Sequence, residues 1–98
     1  MARLRFVPAA ARDLERLASF LAERDPTAAA ETIAIIIEAV EILGRHPLIG
    51  RPLENGSREL VIHRGSTGYL AQYRYDVPGD EVVMLAIRHQ REVDPSDG

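Results

Sequence analysis

The chain opens on strict alternation. Arg3-Leu4-Arg5-Phe6-Val7 places Leu4 and Phe6 on one face and predicts a short strand. After Pro8 the apolar period lengthens. Ala10, Leu14, Leu17, Ala18 and Leu21 make one core-facing stripe of a helix over residues 9–24. Asp25-Pro26 restarts the chain, with Asp25 as cap and Pro26 at the first helical position, where its missing N–H costs nothing. A second helix runs from about Thr27 to Leu43, with Ile33, Ile36, Ile37, Val40 and Leu43 as its core stripe. Gly44 suits its C-cap, and Pro47 prevents continuation. So short a turn between the helices predicts an antiparallel hairpin. Ile35 and Ile42 lie roughly opposite the core stripe at about 100° per residue. They either begin a partner surface or are two scattered exposed isoleucines.

Residues 46–57, HPLIGRPLENGS, carry two prolines, two glycines and an Asn-Gly, and read as a loop. Alternation then returns. Arg58 to His63 sets Leu60 and Ile62 opposite Glu59, Val61 and His63. Gly65-Ser66-Thr67-Gly68 turns the chain. Tyr69 to Asp76 sets Tyr69, Ala71, Tyr73 and Tyr75 opposite Leu70, Gln72, Arg74 and Asp76. Val77-Pro78-Gly79-Asp80 is a turn in which Pro pre-sets one angle and Gly supplies positive φ. The last strand, Asp80 to Glu92, has an unbroken apolar run from Val82 to Ile87 and reads as buried on both faces. The order β-α-α-β-β-β predicts an α+β fold. A helical hairpin packs on one face of a small, mainly antiparallel sheet, and the other face is open. Residues 1–98 are expected to form a single domain, with 93–98 as a flexible polar tail.

Composition narrows the chemistry. There is no cysteine, so disulfides and thiolate metal sites are excluded together. No apolar stretch is long enough to span a membrane, and the N-terminus lacks a signal-peptide core, so the cytoplasm is the expected compartment. All twelve basic residues are arginine, yet the net charge is −3, which argues against a general nucleic-acid binder. The three histidines lie far apart in sequence, and neither phosphate-binding nor metallohydrolase motifs occur, so no cofactor or metal is expected. What remains is a constellation on neighbouring strands: Arg58, Tyr73, Arg74, Arg88, His89 and Arg91. Arginines stabilise phosphate charge and a histidine moves protons. Arg58, Arg74, Arg88 and His89 could therefore serve metal-free RNA cleavage. The alternative is an arginine-rich strand rim over core tyrosines.

These pieces resemble a family. The element order, His46-Pro47-x-x-Gly50 leading into Arg58-Glu59-Leu60, the strand GYLAQYRYD and the closing His89-x-Arg91-Glu92 are together similar to the RelE/ParE toxins of type II toxin–antitoxin systems. The resemblance spans Leu4 to Glu92 and implies a small toxin neutralised by a cognate antitoxin. RelE-like members cleave mRNA on the ribosome, whereas ParE-like members inhibit DNA gyrase. Nuclease members typically carry an arginine after the first tyrosine of the Tyr-x-x-x-Tyr strand, where this chain has Leu70. Some end in Arg-x-His-Tyr, where this chain has Gln90-Arg91 in the last two places. The resemblance therefore implies the ParE branch, with gyrase as target. An mRNA endonuclease and a non-toxic antitoxin-binding module are the alternatives. The surface expected to meet target or partner takes in Ile35, Ile42, Arg58, Arg64, Tyr73, Arg74, Arg88, His89 and Arg91. The assembly is expected to be a homodimer or a toxin–antitoxin hetero-oligomer.

Overall fold

Two sequence signals set where the helices begin. Pro8 opens helix α1 (Pro8–Ala22) and Pro26 opens α2 (Pro26–Arg45), each at the first helical position. Asp25 caps α2 by accepting the backbone N–H groups of Thr27 and Ala28, both at 3.1 Å. In the computed structural model, which describes residues 1–93, these helices pack on one five-stranded sheet. Its strands are β1 (Arg3–Phe6), β2 (Arg51–Pro52), β3 (Arg58–Arg64), β4 (Thr67–Asp76) and β5 (Glu81–His89), in the order β1-β5-β4-β3-β2. β3, β4 and β5 form the expected antiparallel meander, and β1 joins parallel to β5. A 3₁₀ turn follows at Gln90–Val93. Of the tail expected at 93–98, residues 94–98 lie outside the described residues. No described helix is long and apolar enough to cross a membrane.

β5 lies between β1 and β4, and its apolar run has two causes. The first is burial on both faces: Val82, Val83 and Met84 are each at most 2% exposed. The second is a bulge. Gln72 pairs with Ala86 but Tyr73 pairs with Met84, so Leu85 is the extra residue. An extra residue resets the alternation. Met84 and Ile87, three apart, therefore both join the core under the helices, with Tyr69, Ala71, Tyr73, Ile36, Val40 and Leu43.

Several local expectations change. Gly44 is not the C-cap of α2; the helix continues to Arg45 and His46 caps it. Gly44 is an interior contact, where its carbonyl accepts the Ala2 N–H at 2.8 Å and a Cβ would lie 3.3 Å from the Ala2 oxygen. The buried face of α2 is also rotated from the predicted stripe. Ala29 and Thr32 are buried on it, while Ile33 and Ile37 are only half-buried. Thr32 tolerates burial because its hydroxyl donates to the Ala28 carbonyl at 2.8 Å. The first hairpin turn is shorter than predicted, with Arg64 pairing Thr67 around Gly65-Ser66. In the second, Asp80 rather than Gly79 takes positive φ, at 48°. A Cβ at Gly79 would meet only the end of the exposed Asp76 side chain, which can swing aside. The predicted loop at 46–57 contains the two-residue strand β2, too short for alternation to reveal.

β1 stops before β5 does. Its register ends at Phe6 opposite Met84, and Val7 N–H closes on the Met84 carbonyl at 3.1 Å. Farther along β5, the Ile87 N–H is taken by the Asp13 carboxylate of α1 at 3.0 Å. Asp13 thereby pins the helix to the strand where backbone pairing ends. Asp13→Ala should lower unfolding free energy by about 1–3 kcal/mol, the scale for losing a hydrogen bond to a charged group. Arg16→Ala, which removes the exposed 3.2 Å ion pair with Asp13, should cost less than about 1 kcal/mol. Urea midpoints of the two variants check the difference.

Candidate functional site

The loop at His46-Pro47-Leu48-Ile49-Gly50 is fastened to the sheet by two side chains. Tyr73 is fully buried, and its hydroxyl accepts the Gly50 N–H at 2.9 Å while donating to the Pro47 carbonyl at 2.7 Å. Arg58 donates to the Leu48 carbonyl at 3.0 Å and the Gly50 carbonyl at 2.8 Å. Gly50 is required by contact, because a Cβ would lie 2.5 Å from the Tyr73 hydroxyl oxygen. The most specific sequence motif is thus a clamp that closes the end of α2 onto β3 and β4. Burial pushes the Tyr73 phenol above its ordinary value, against opposing effects of the Gly50 N–H and the Arg58 charge.

The four candidate nuclease groups are spread over two faces of the sheet. Arg58 follows the inward alternation of Leu60 and Ile62 and faces the helix layer. His89 is also on that side, where its ring meets buried Tyr69 edge-on at 5.4 Å between centroids. Its Nδ1 accepts the Arg91 N–H at 3.1 Å. Arg74 and Arg88 are exposed on the opposite face, paired in register with Val83 and Leu70. Even within one face the groups are far apart. Arg58 pairs with Tyr73 and His89 with Tyr69, four residues along β4, or about 13 Å of strand. The same four-residue interval separates Arg74 from the partner of Arg88. Glu59 engages Arg51 of β2 at 2.7 Å.

The remaining expected surface residues also divide. Arg64 ties β3 to α2 through Glu31 at 2.8 Å and lies by Tyr69, whose phenol burial pushes upward while Arg64 and the Thr32 hydroxyl pull it down. Ile42 is exposed, at 46%, but Ile35 is half-buried and packs on the core. The two isoleucines therefore do not form one outward strip. Arg91 is exposed and borders two concavities. One lies over the open sheet face near Leu70 and Thr67, and the other lies between α1 and the end of β5. Sequence reasoning missed two residues of the second, Phe20 on α1 and Arg24 in the turn that follows it. The available signal was an aromatic residue outside the core stripe of α1, with an arginine four residues on.

Comparison with known proteins agrees with this architecture. A family model described as ParE toxin of type II toxin-antitoxin system, parDE, matches residues 4–94. A Caulobacter vibrioides protein named Toxin RelE3 is 41% identical over 85 residues, covering 87% of this chain and 90% of that one. The chromosomal ParDE system of P. aeruginosa contains a chain that superposes with a TM-score of 0.74 at 28% identity, covering 91% of this chain and 96% of its own. A chain of the Mycobacterium tuberculosis toxin–antitoxin complex RelBE2 gives a TM-score of 0.66 at 30% identity, covering 90% and 96%.

The tyrosines carry a pH signature. The folded state holds the Tyr73 proton more tightly than the unfolded chain does. Stability should therefore be fully present below about pH 10, where the unfolded phenol is still protonated, and should fall as pH rises beyond it. Tyr73→Phe should flatten that fall without abolishing it, because Tyr69 and Tyr75 are shifted the same way. Urea midpoints between about pH 8 and 11 read the slope.

Proposed function

The chain belongs to the ParE toxin family of type II toxin–antitoxin systems, and we propose that it acts by binding and inhibiting DNA gyrase. Its inhibition would be relieved by the cognate antitoxin. An antitoxin partner is supported by the neighbouring structures, which come from the ParDE system and the RelBE2 complex.

The observation that favours binding over cleavage is the separation of the nuclease candidates. Attack of a 2′-OH on its phosphate needs a proton acceptor and charge-stabilising groups within hydrogen-bond reach of one reacting centre. Here Arg58 is committed to two loop carbonyls, and His89 lies across the sheet from Arg74 and Arg88. A net charge of −3 offers little general attraction for ribosomal RNA. Leu70, on the open face, supplies no cation where nuclease relatives are expected to carry one. The name of the C. vibrioides relative favours the second reading, an mRNA endonuclease acting on the ribosome.

Purified toxin should inhibit supercoiling by purified gyrase, and added antitoxin should restore it. Mapping mRNA 5′ ends after induction should reveal no new cuts at codon intervals. Codon-spaced cuts that vanish in His89→Ala would replace gyrase by the ribosome as target. Antitoxin binding with neither activity would mark a non-toxic binding module.

A further inference from the structure

We propose that Asn55 is a site of spontaneous deamidation, in which Ser57 holds and polarises the amide that is lost. The inference is independent of the toxin–antitoxin reading. Asn55 is the only asparagine of the chain, and glycine follows it. It lies in the turn between β2 and β3, where Asn55 and Gly56 are exposed and Ser57 is buried. The Asn55 side-chain oxygen accepts the Ser57 N–H at 3.0 Å and the Ser57 hydroxyl at 2.5 Å. A backbone N–H only donates, so the atom facing Ser57 is the amide oxygen, and Nδ2 is free to leave. Gln72 of β4 donates to the Ser57 hydroxyl oxygen at 3.0 Å, which directs the hydroxyl proton to Asn55.

The turn supplies what the reaction needs. The nucleophile is the Gly56 nitrogen. No side chain shields it, since a Cβ built at Gly56 has nothing within 4 Å. Its N–H donates to the Leu53 carbonyl at 3.2 Å, the long end of the range for such bonds. A solvent base takes the amide proton, and the nitrogen forms a bond to Asn55 Cγ. Negative charge then develops on the side-chain oxygen. Hydrogen bonds to an anion are about twice as strong as neutral ones, so the two Ser57 donors stabilise the addition more than the starting amide. The Cγ–Nδ2 bond breaks, and Nδ2 leaves as ammonia with a proton from solvent. Water adds to either carbonyl of the cyclic imide and opens it, to aspartate from one and isoaspartate from the other. Overall one water enters, one ammonia leaves, and nothing is oxidised or reduced.

The two products differ in what they do to the fold. Aspartate keeps an acceptor for both Ser57 donors. Isoaspartate runs the backbone through the former side chain, lengthens the turn by a methylene and takes the acceptor away from buried Ser57. The Leu53 N–H reaches the Ser57 carbonyl at 2.8 Å across this same turn, so a longer turn strains that bond. Arg58, which clamps the loop after α2, is the next residue. Isoaspartate formation therefore loosens the chain at the edge of the clamp.

Ageing the purified full-length protein at mildly alkaline pH tests the inference. Trypsin then releases Asn55 within residues 46–58, because Arg51 precedes Pro52 and resists cleavage. Mass spectrometry should show the amide converted to acid, with isoaspartate among the products, and faster in the native chain than in the chain unfolded by guanidinium. Ser57→Ala should slow the native rate about tenfold, the worth of one hydrogen bond that strengthens as charge develops. Ser57→Thr, which keeps both donors, should restore most of it. Gln72→Leu, which loosens the same network but leaves both donors in place, should not slow it. No conversion in the native chain, equal rates in native and unfolded chains, or a rate in Ser57→Ala at or above that of wild type would overturn the inference. Should Ser57→Ala fail to fold, the native and unfolded wild-type rates decide it without a substitution. Isoaspartate-bearing protein, separated by its added negative charge, should unfold at lower urea than Asn55→Asp does, and equal midpoints would overturn the structural consequence.

Discussion

The buried hydroxyl of Tyr73 is the contact on which the two layers depend. It ends a strand-borne ring in the core and meets both polar groups of a loop that leaves α2. Removing its hydrogen-bonding capacity would orphan a buried backbone donor, which costs more than the net worth of one bond. Arg58 closes the same loop from β3, with one guanidinium nitrogen donating to two backbone carbonyls. Gly50 completes the arrangement by having no side chain. The motif is therefore a mechanical joint between the helical hairpin and the meander.

The bulge at Leu85 has a similar reach. It lets β5 present Met84 and Ile87 to the helices while Val83 and Ala86 face the other way. Beyond the bulge, Arg88 points to the open face and His89 turns to Tyr69. Alternation alone puts these two neighbours on opposite faces, and the bulge decides which takes which. Asp13 holds α1 against the strand just past the point where β1 has ended, leaving a cleft that neither β1 nor the meander fills.

Much of the architecture was legible because it rests on short-range rules. Pro8, Asp25 and Pro26 mark helix starts by local stereochemistry, and the tyrosine-bearing strand alternates cleanly because only one of its faces meets the helices. What escaped depends on distant partners. Gly44 looks like a helix terminus until Ala2 is seen donating to its carbonyl. Thr32 is absent from the predicted apolar stripe, yet it is buried with its hydroxyl satisfied within its own helix. Ile35 looks like the start of an outward strip, but a helix that buries Ala29 and Thr32 is rotated enough to bring Ile35 to the core. The candidate site was less legible for the same reason. Period-two alternation gives the face of each strand residue but not an unseen bulge, so it grouped Arg88, His89 and Arg58 by sequence type alone. The family resemblance supplied the class of protein, and the division of its charged residues then had to be read from the sheet.

Arg58 and Tyr73 clamp the loop after α2 onto the sheet, and we propose that this structural role is their whole contribution. The most direct measurement pairs thermal melts with gyrase inhibition per folded molecule for Arg58→Ala and Tyr73→Phe. The account predicts melting temperatures lowered by several degrees, since about 1 kcal/mol is worth about 4–8 °C in a domain of this size. Inhibition normalised to folded protein should stay within about twofold, well below the roughly 30-fold loss typical of a removed binding hot spot. Unchanged melting temperatures with a hundredfold loss of activity would contradict it.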